Sequence, residues 1–344
     1  MSFLPEQDPR KRKRNVTLED IAAAADVSVA TASKALNGRR GVGDRTRERV
    51  EATAHRLGYT ARQGSSRLKL GGTVGIIASD LSGRFVLPIM MGAEDAFGLG
   101  MISVLMCNAR GDALRERHHL RALLSRKVDG IIVLGSRSIS RPSLGHGFGA
   151  PIVYAYSPSD DPNDISVDVD HVYSGQLAAR HLMESGASRI AVIGGDPTAR
   201  STVERVQGAQ VTLDTMDVEV SPLGVLLGEF SEAWGRAACR KILSEDPPTD
   251  GFLCGNDQIA RGVLDVLRDS GIQVPRHASV VGHDNWQPVA AASRPPLSSI
   301  DMNLEELGLR AAELLIQAVD GTAESGHHKV RSRLVVRGTT FLVD

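Results

Sequence analysis

The apolar residues of the chain follow two different spacings. Between residues 17 and 57 they recur every three to four positions, which is the spacing of one face of a helix. From residue 73 onward, short unbroken apolar runs alternate with longer amphipathic segments. The first spacing predicts a small all-helical domain, and the second predicts a larger body in which buried strands are separated by helices.

Residues 17–37 predict two short helices joined by a tight turn. Thr17 caps the first helix, and Ile21 and Ala25 lie on its buried stripe. Asp26 occupies the turn, which requires a residue that tolerates left-handed backbone. This is the local pattern of two helices that meet at an angle.

The second helix of this pair has two contrasting faces. Ser28 caps it, and Ala32, Ala35 and Leu36 form its inward face. Its outward face carries short and polar side chains, namely Val29, Ala30, Thr31, Ser33 and Lys34. Two such helices form a helix-turn-helix, whose second helix lies in the major groove of DNA. The alternative is a helical hairpin packed inside a larger core.

The distribution of charge favours the first of these alternatives. Residues 1–72 carry 15 Lys and Arg against 8 Asp and Glu, whereas residues 73–344 carry 25 against 33. A basic head on an acidic body is typical of a nucleic-acid-binding domain joined to another domain. Residues 1–14, which end in RKRKR, predict a disordered basic tail.

A third helix is predicted after a polar loop. Asp44 caps it, Val50, Ala54 and Leu57 form its buried stripe, and Gly58 ends it. Together the three helices make a head of roughly 45 residues, which is near the lower size limit for independent folding.

Two segments, VTLEDIAAAADVSVATASKALNG and TRERVEATAHRLGY, resemble the DNA-binding head of the LacI/GalR (lactose-repressor) family of bacterial transcriptional regulators. The resemblance extends over nearly the whole chain. It implies a helix-turn-helix domain at residues 15–59, a hinge at 60–72 and an effector-binding and dimerisation core at 73–344. It also implies a homodimer on double-stranded operator DNA, with the hinge folding as a short helix in the minor groove.

The resemblance assigns DNA contacts to the head and to the hinge. Val29 and Ala30 are suited to thymine methyl groups, and Lys34 reaches either a guanine or a phosphate. Tyr59 lies against either the DNA backbone or the core of the head, and Leu68 is either a wedge between base steps or a linker residue. The full predicted set is Thr17, Ser28, Val29, Ala30, Thr31, Ser33, Lys34, Asn37, Tyr59, Arg62 and Leu68.

The larger body predicts two doubly wound parallel sheets. Its predicted strands cover residues 73–78, 102–106, 130–134, 152–155, 189–193, 225–227, 251–254 and 279–281, with a last strand in 331–344. Its predicted helices cover residues 86–99, 113–127, 172–185, 202–215, 231–243 and 258–270. The fold class is therefore an all-α head plus an α/β core, which resembles two-lobed periplasmic sugar-binding proteins. The resemblance places lobe 1 at about 73–170 and 301–330, and lobe 2 at about 171–300 and 331–344.

The sequence lacks the motifs by which a doubly wound body would act as an enzyme. It contains no G-x-G-x-x-G after the first strand, and no G-x-x-x-x-G-K-[ST], H-E-x-x-H, C-x-x-C or G-x-S-x-G. We therefore expect no catalysis, no cofactor and no metal site. Three widely spaced cysteines indicate reduced thiols, and neither a secretory signal nor an apolar run of about 18 residues is present. These features predict a cytoplasmic protein associated with the nucleoid.

Candidate effector-binding residues follow the strands, because ligands of open α/β sheets bind at the carboxyl ends of strands. They are Ser79, Asp80, Phe85, Tyr156, Arg205, Phe230, Asn256, Asp284 and Trp286. Arg205 lies in an S-x-x-x-R element of the family, and its alternative is a surface ion pair with Glu204 or a neighbouring acid. Asn256 is expected to face the cleft while Asp257 caps the helix that follows.

For several of these residues, the sequence allows more than one role. Asp284 matches a family aspartate that binds sugar hydroxyls, whereas Tyr156 stands where sugar-binding members often have a carboxylate. Phe85 either stacks on the ligand or packs in the core, and Trp286 either stacks on the ligand or lies between the lobes. Trp234, one turn after Phe230, is expected to pack.

The sequence thus predicts a DNA-binding transcription regulator, a repressor whose operator affinity is controlled by a small polar effector such as a sugar. The alternatives are a sugar-binding protein without a regulatory role, a purine-type regulator that depends on a corepressor, and an enzyme acting on a sugar or nucleotide.

Overall fold

The computed structural model describes residues 18–36, 42–57, 72–81, 83–98, 102–216, 219–245 and 248–341. The helices of the head are α1 Leu18–Ala24, α2 Val29–Leu36 and α3 Asp44–Leu57. Asp26 has φ 51°, so the turn adopts the predicted left-handed backbone. The Thr31 amide donates to Ser28 Oγ at 3.1 Å, which confirms the predicted cap of α2.

The head has a core of its own, made of small side chains. The buried residues are Ile21, Ala22, Ala25, Ala32, Ala35, Val50 and Ala54. Leu57 was predicted to be buried but is 36% exposed, because it is the last residue of α3 and lies beyond the buried cluster. Asp44 lies inside α3, and the Arg47 amide donates to the carbonyl of Gly43 at 3.0 Å, so Gly43 precedes the helix where Asp44 was expected.

The body contains the remaining elements. Its strands are β1 Gly72–Ala78, β2 Ile102–Asn108, β3 Gly130–Leu134, β4 Ile152–Ala155, β5 Ile165–Val169, β6 Arg189–Ile193, β7 Glu219–Leu226, β8 Gly251–Cys254, β9 Ser279–His283, β10 Ser298–Asp301, β11 Gly326–Val330 and β12 Arg333–Val335. Its helices are α4 Val86–Phe97, α5 Ala113–Ser125, α6 His171–Glu184, α7 Arg200–Thr215, α8 Glu232–Glu245, α9 Asp257–Asp269, α10 Gln287–Ala290 and α11 Leu304–Val319.

These strands form two six-stranded sheets. Lobe 1 has the order β11-β5-β4-β3-β1-β2, with every neighbouring pair parallel. Lobe 2 has the order β12-β10-β9-β8-β6-β7, in which only β12 is antiparallel to its neighbour. Apolar clusters lie on both faces of each sheet, as expected for parallel strands covered by helices.

The chain passes between the lobes three times, so the two lobes are joined by three neighbouring segments. The passages lie at Asp170 between β5 and α6, at residues 302–303 between β10 and α11, and at residues 331–332 between β11 and β12. Because all three lie at the carboxyl ends of lobe-1 strands or of β10, the cleft lies where loops from both sheets converge.

Three helix pairs pack with reciprocal glycines. A Cβ on Gly92 of α4 would meet the backbone carbonyl of Glu305 in α11, and a Cβ on Gly308 of α11 would meet that of Ile89 in α4. The pairs α6 with α7 and α8 with α9 repeat this arrangement through Gly175 and Gly208, and through Gly235 and Gly262. Only glycine therefore allows these helices their close approach.

Most elements match the prediction, and the differences have local causes. The strands at 130–134, 152–155, 189–193 and 251–254 have the predicted bounds. Neither β5 nor β10 was predicted, because each is short and contains buried polar residues, such as Asp168 and Ser298, that interrupt the apolar run. The prediction also omitted α10, α11 and β11, and began β7 six residues too late. None of the described helices is long and apolar enough to cross a bilayer.

Candidate functional site

The carboxyl ends of the strands bring polar residues from both lobes to one cleft. Lobe 1 contributes the loop after β1, which carries Arg84 and Phe85, and Tyr156 after β4. Lobe 2 contributes Arg205 from α7 and Asp284 after β9. These residues lie up to 200 positions apart in the chain, yet their side chains meet.

Arg84, which the sequence prediction did not include, crosses the cleft. Its guanidinium forms an ion pair with Asp284 of lobe 2 and donates to Gln258 Oε1 at 3.4 Å. The guanidinium carbon lies 4.7 Å from the centre of the Phe85 ring and 4.6 Å from that of Trp286. One aromatic ring from each lobe therefore faces the same cation.

Arg205 is the buried cation of lobe 2. It donates through Nη1 to the carbonyl oxygen of Gly255 at 2.7 Å, and Nη2 lies 4.0 Å from Asp284 Oδ1. Glu204 pairs instead with Arg200 at 2.8 Å, so the alternative of a surface pair between Arg205 and Glu204 is wrong. Burial lowers the pKa of the Arg205 guanidinium, an effect that the charge of Asp284 opposes.

Asp284 remains an anion although it is buried. Burial by itself opposes ionisation, but the hydrogen bond from His283 and the nearby charges of Arg205 and Arg84 outweigh it and lower the pKa of the carboxyl. Burial and the charge of Arg205 lower the pKa of His283 to about 4, so its ring is neutral near pH 7. With Nδ1 donating to Asp284 Oδ1 at 3.0 Å, the Nε2 of His283 is an acceptor.

Three residues of the cleft loops have left-handed backbone. Tyr156 has φ 68°, Asp284 has φ 98° and Asn285 has φ 48°. The surrounding sheet holds each of them, since their amides donate to Val167, Ile300 and Ser299 respectively. A non-glycine residue with left-handed backbone lowers the stability of the fold by about 1–3 kcal/mol, and such residues cluster at functional sites.

The expected cap of α9, Asp257, is wrong. The side chain of Asn256 accepts from the Ile259 amide at 2.8 Å, so Asn256 and not Asp257 caps α9. Asp257 accepts from the Trp286 amide and from Ser299 Oγ, both at 2.6 Å, and so fixes the loop after β9. Burial and the charge of Asp284 raise the pKa of Asp257 to about 7.

A second polar chain crosses between the lobes beside the first. Asp168 of β5 accepts from Ser138 Oγ at 3.0 Å and pairs with Arg200 of α7 at 3.3 Å. The Nε2 of His171 in α6 lies 2.9 Å from the same Ser138 Oγ. Burial raises the pKa of Asp168 to about 6, an effect that Arg200 opposes.

The remaining predicted effector residues line or support the cleft loops. Ser79, Asp80 and Phe230 are half-buried, and Phe85 lies 5.4 Å from Tyr156 ring to ring. Trp234 packs as expected, with Nε1 donating to the carbonyl of Gly194 at 2.9 Å.

Several buried polar atoms of this region have no hydrogen-bond partner among the described residues. They are Arg84 Nε, Thr202 Oγ1, Glu204 Oε2, Asn256 Nδ2 and His283 Nε2. Buried polar atoms are nearly always hydrogen-bonded in folded proteins. A mixed set of donors and acceptors is therefore available to a polar, uncharged ligand such as a polyhydroxyl compound.

The outward face of α2 is open to solvent. Val29 is 45% exposed, and Ala30 and Lys34 are also exposed. The hydroxyls of Ser28 and Thr31 lie 2.8 Å apart, so each already has a partner in the cap. Among the predicted DNA contacts, Thr17, Asn37, Tyr59, Arg62, Leu68 and the side chain of Ser33 lie outside the described part of the chain.

One group of potential metal ligands occurs among the described residues. The Nε2 of His146 lies 2.9 Å from Asp161 and its Nδ1 lies 3.5 Å from Asp164. Since each ring nitrogen faces a different carboxylate, the geometry is that of an imidazolium between two anions. The hydrogen bond to Asp161 raises the pKa of His146, in agreement with this interpretation.

Family models match both the head and the body. Residues 17–61 match the family model for bacterial regulatory proteins of the lacI family, and residues 179–340 match a periplasmic binding protein-like domain. The chain is 31% identical over 338 residues to the HTH-type transcriptional regulator CelR of Thermobifida fusca, covering 95% of this chain and 99% of the relative.

Two solved structures share the whole architecture. A complex of the transcriptional regulator CelR with cellobiose has a TM-score of 0.61 at 28% identity, covering 94% of this chain and all of that one. A lac repressor dimer bound to operator and the anti-inducer ONPF has a TM-score of 0.63 at 26% identity, covering 96% of this chain and all of that one.

Proposed function

The chain belongs to the LacI family of bacterial regulatory proteins and is a transcription regulator of that type, and we propose that it is a homodimeric repressor controlled by a sugar-like effector. The observation that supports this most is the interlobe cleft, where Arg205 and Asp284 are buried together in a chain that also carries a helix-turn-helix head.

The head reads DNA through α2. The exposed Val29 and Ala30 suit the methyl groups of thymine, and Lys34 supplies a cation for a phosphate or a guanine. By resemblance, the hinge at 60–72 adds Arg62 and Leu68 in the minor groove. This assignment makes residues 15–59 the DNA-binding domain and residues 73–344 the effector-binding and dimerisation core.

The cleft binds the effector. Asp284 and His283 Nε2 accept hydrogen bonds, whereas Arg205 and Asn256 Nδ2 donate them, and the rings of Phe85 and Trp286 offer apolar faces. Paired hydroxyls above a flat hydrocarbon face suit this set, which is the chemistry of a sugar ring. The similar solved structure of a CelR regulator in complex with cellobiose favours a sugar over a purine.

The dimer partner is a second copy of the chain. The edge strand β2 is exposed on both faces, with Met106 47% exposed, and the helix before it exposes Leu87 and Met91. An apolar sheet edge of this kind requires a cover. A two-fold dimer there presents two heads, as in the lac repressor dimer on its operator, and requires a near-palindromic site.

The protein acts on DNA in the cytoplasm, at the nucleoid, and performs no catalysis, in keeping with relatives that are DNA-binding regulators. The alternative of a sugar-binding protein without a regulatory role does not account for the head that residues 17–61 match.

The experiment is thermal unfolding of the purified protein against a panel of sugars, polyols and purines, followed by binding to operator DNA selected from a random pool. A saturable rise in melting temperature from a sugar, with a change in operator affinity, supports the proposal. A rise caused only by a purine would contradict the sugar assignment, and failure to select any DNA sequence would contradict the regulator.

A further inference from the structure

The position of Arg84 differs from that of an ordinary ion pair. Its guanidinium arises in lobe 1, but its hydrogen-bond partners, Asp284 and Gln258, belong to lobe 2. The side chain of Asp284 is 4% exposed, so this contact lies at the base of the cleft. Arg84 Nε is buried without a partner in the described residues.

The contacts of Arg84 are those that a ligand ring would make. A flat group lies between Phe85 of lobe 1 and Trp286 of lobe 2, and its N–H groups donate to a buried carboxylate. Stacking between two rings and donation to an acid are the two interactions by which a cyclic polyol is held.

A second arginine of lobe 1 provides a contrast. Arg141 binds Glu116 with two hydrogen bonds of 2.6 and 2.5 Å, within the same lobe and on the side of Tyr154. Its contacts do not depend on how the lobes sit. The contacts of Arg84 with Asp284, Gln258 and Trp286 join two lobes, so they do depend on it.

We propose that Arg84 is a tethered competitor of the effector, which occupies the subsite between Phe85, Trp286 and Asp284 until an incoming ring displaces it. This inference rests on the proposed effector-binding role of the cleft. It makes Arg84 a specificity-determining residue, because only a ligand that stacks on the rings and donates to Asp284 replaces what is lost. Compounds that bind Arg205 alone leave Arg84 in place.

The first test needs no effector. The chain has two tryptophans, and Arg84 covers a face of Trp286. In Arg84→Gln we expect the emission of Trp286 to move to longer wavelength and its quenching by acrylamide to increase. Arg84→Lys, which keeps the charge but not the flat stacking group, is expected to lie between wild type and Arg84→Gln. The variant Trp286→Phe identifies the signal of Trp286.

The matched control is Arg141→Gln, which removes the ion pair of a half-buried arginine of lobe 1 without touching the cleft. It is expected to lower the melting temperature and leave the emission of Trp286 as in the wild type. An unchanged Trp286 in Arg84→Gln, in a protein that still melts cooperatively, would overturn the proposal.

The second test uses cellobiose, glucose, galactose and ribose as probes in calorimetric titrations of the full-length protein. Removing a competitor raises the fraction of binding-competent protein, so a sugar that binds the wild type should bind Arg84→Gln about 10-fold more tightly, or ~1.4 kcal/mol. Weaker binding would show that Arg84 is a direct ligand contact and would overturn the competitor role.

The two tests separate the inference from the proposed function. If Trp286 becomes exposed but none of the four sugars binds either protein, Arg84 covers Trp286 and the assignment of these sugars to the cleft is wrong. If sugars bind both proteins equally and Trp286 is unchanged, the sugar assignment stands and the competitor role is wrong.

Discussion

The head and the interlobe cleft are built from opposite kinds of contact. The head is assembled from neighbours in sequence, such as the cap of Ser28 on Thr31, around a core of alanines, Ile21 and Val50. The cleft joins residues up to 200 positions apart, and its contacts are buried charges and hydrogen bonds. The head is therefore a local unit that depends on apolar packing, whereas the cleft depends on electrostatics and on the position of two lobes.

This difference implies that a destabilising substitution in one region leaves the other region folded. No apolar cluster of the described residues includes both head and body side chains. A defect in the head core should abolish DNA binding without affecting the body, and a defect in the cleft should change the ligand response while the head still folds.

The largest effect is expected from Ile21→Asp. It places a carboxylate in the smallest core of the molecule, at a cost on the order of 3–5 kcal/mol, which exceeds what so small a domain can bear. We expect operator affinity to fall by more than about 100-fold, measured by fluorescence anisotropy, while the calorimetric transition of the body is unchanged. Ala24→Asp, at an exposed position of α1, should leave the head folded in circular dichroism. A folded, DNA-binding Ile21→Asp would contradict the packing described.

A large effect is also expected from the pH dependence of Asp168→Asn. The pKa of Asp168 is about 6 in the folded protein and about 3.9 when unfolded, so the folded state holds this proton more tightly. Protonated Asp168 therefore stabilises the folded state below about pH 4. The free energy of unfolding then falls by about 3 kcal/mol as the pH rises through 6. The stability of the variant relative to wild type should therefore rise between pH 4 and 6.

This comparison is made by urea unfolding of both proteins across the pH range. The titrations of Asp257 and His283 occur in both proteins and cancel in the difference. A stability difference between the two proteins that does not depend on pH would show that burial does not raise the pKa of Asp168.

A smaller effect is expected from Gly308→Ala. The added Cβ would collide with the backbone carbonyl of Ile89, so α4 and α11 must separate, which costs about 1–3 kcal/mol. Gly83→Ala in the same lobe is the control, because its Cβ would meet atoms no closer than 3.8 Å. In thermal unfolding, Gly308→Ala should have a lower melting temperature than the wild type, whereas Gly83→Ala should not. Equal melting temperatures would mean that the helices accommodate the methyl group.

The smallest effect is expected from Lys34→Ala. If Lys34 neutralises one phosphate, operator binding weakens equally for all sequences and the slope of log affinity against log salt falls by about 1. Lys241→Ala, an exposed lysine on α8, should change neither quantity. A loss confined to one base pair, with an unchanged slope, would instead make Lys34 a reader of guanine.

The contrast between the regions also explains what the sequence could predict. In the head, helix spacing, the cap at Ser28 and the left-handed Asp26 were all correctly predicted, because each depends on residues within one turn. Among the described residues of the head, the cap of α3 at Asp44 and the burial of Leu57 were wrongly predicted. The four strands with correct bounds are those whose apolar runs are unbroken.

In the cleft, the sequence predicted which residues lie near the ends of the strands better than it predicted which residues contact each other. The prediction included Phe85 but not Arg84 beside it, because nothing local indicates that Arg84 meets Asp284 on the other lobe. The cap of α9 was assigned to Asp257 and not to Asn256, since either residue type can cap a helix and only the contact of Asp257 with the Trp286 amide decides between them. The neutral His283 was not predicted, because its pKa depends on burial and on Arg205.

Binding of the effector in the cleft is expected to control operator binding by the head. The experiment is a titration of labelled operator with the protein at increasing concentrations of the sugar that raises its melting temperature, for wild type and for Arg205→Ala. In the wild type, operator affinity should change by about 5–150-fold and then saturate, and the sugar's own affinity should change by the same factor when operator is bound. In Arg205→Ala, operator affinity without sugar should be retained and the response lost. An operator affinity that is the same at all sugar concentrations in the wild type would show that the cleft does not control the head.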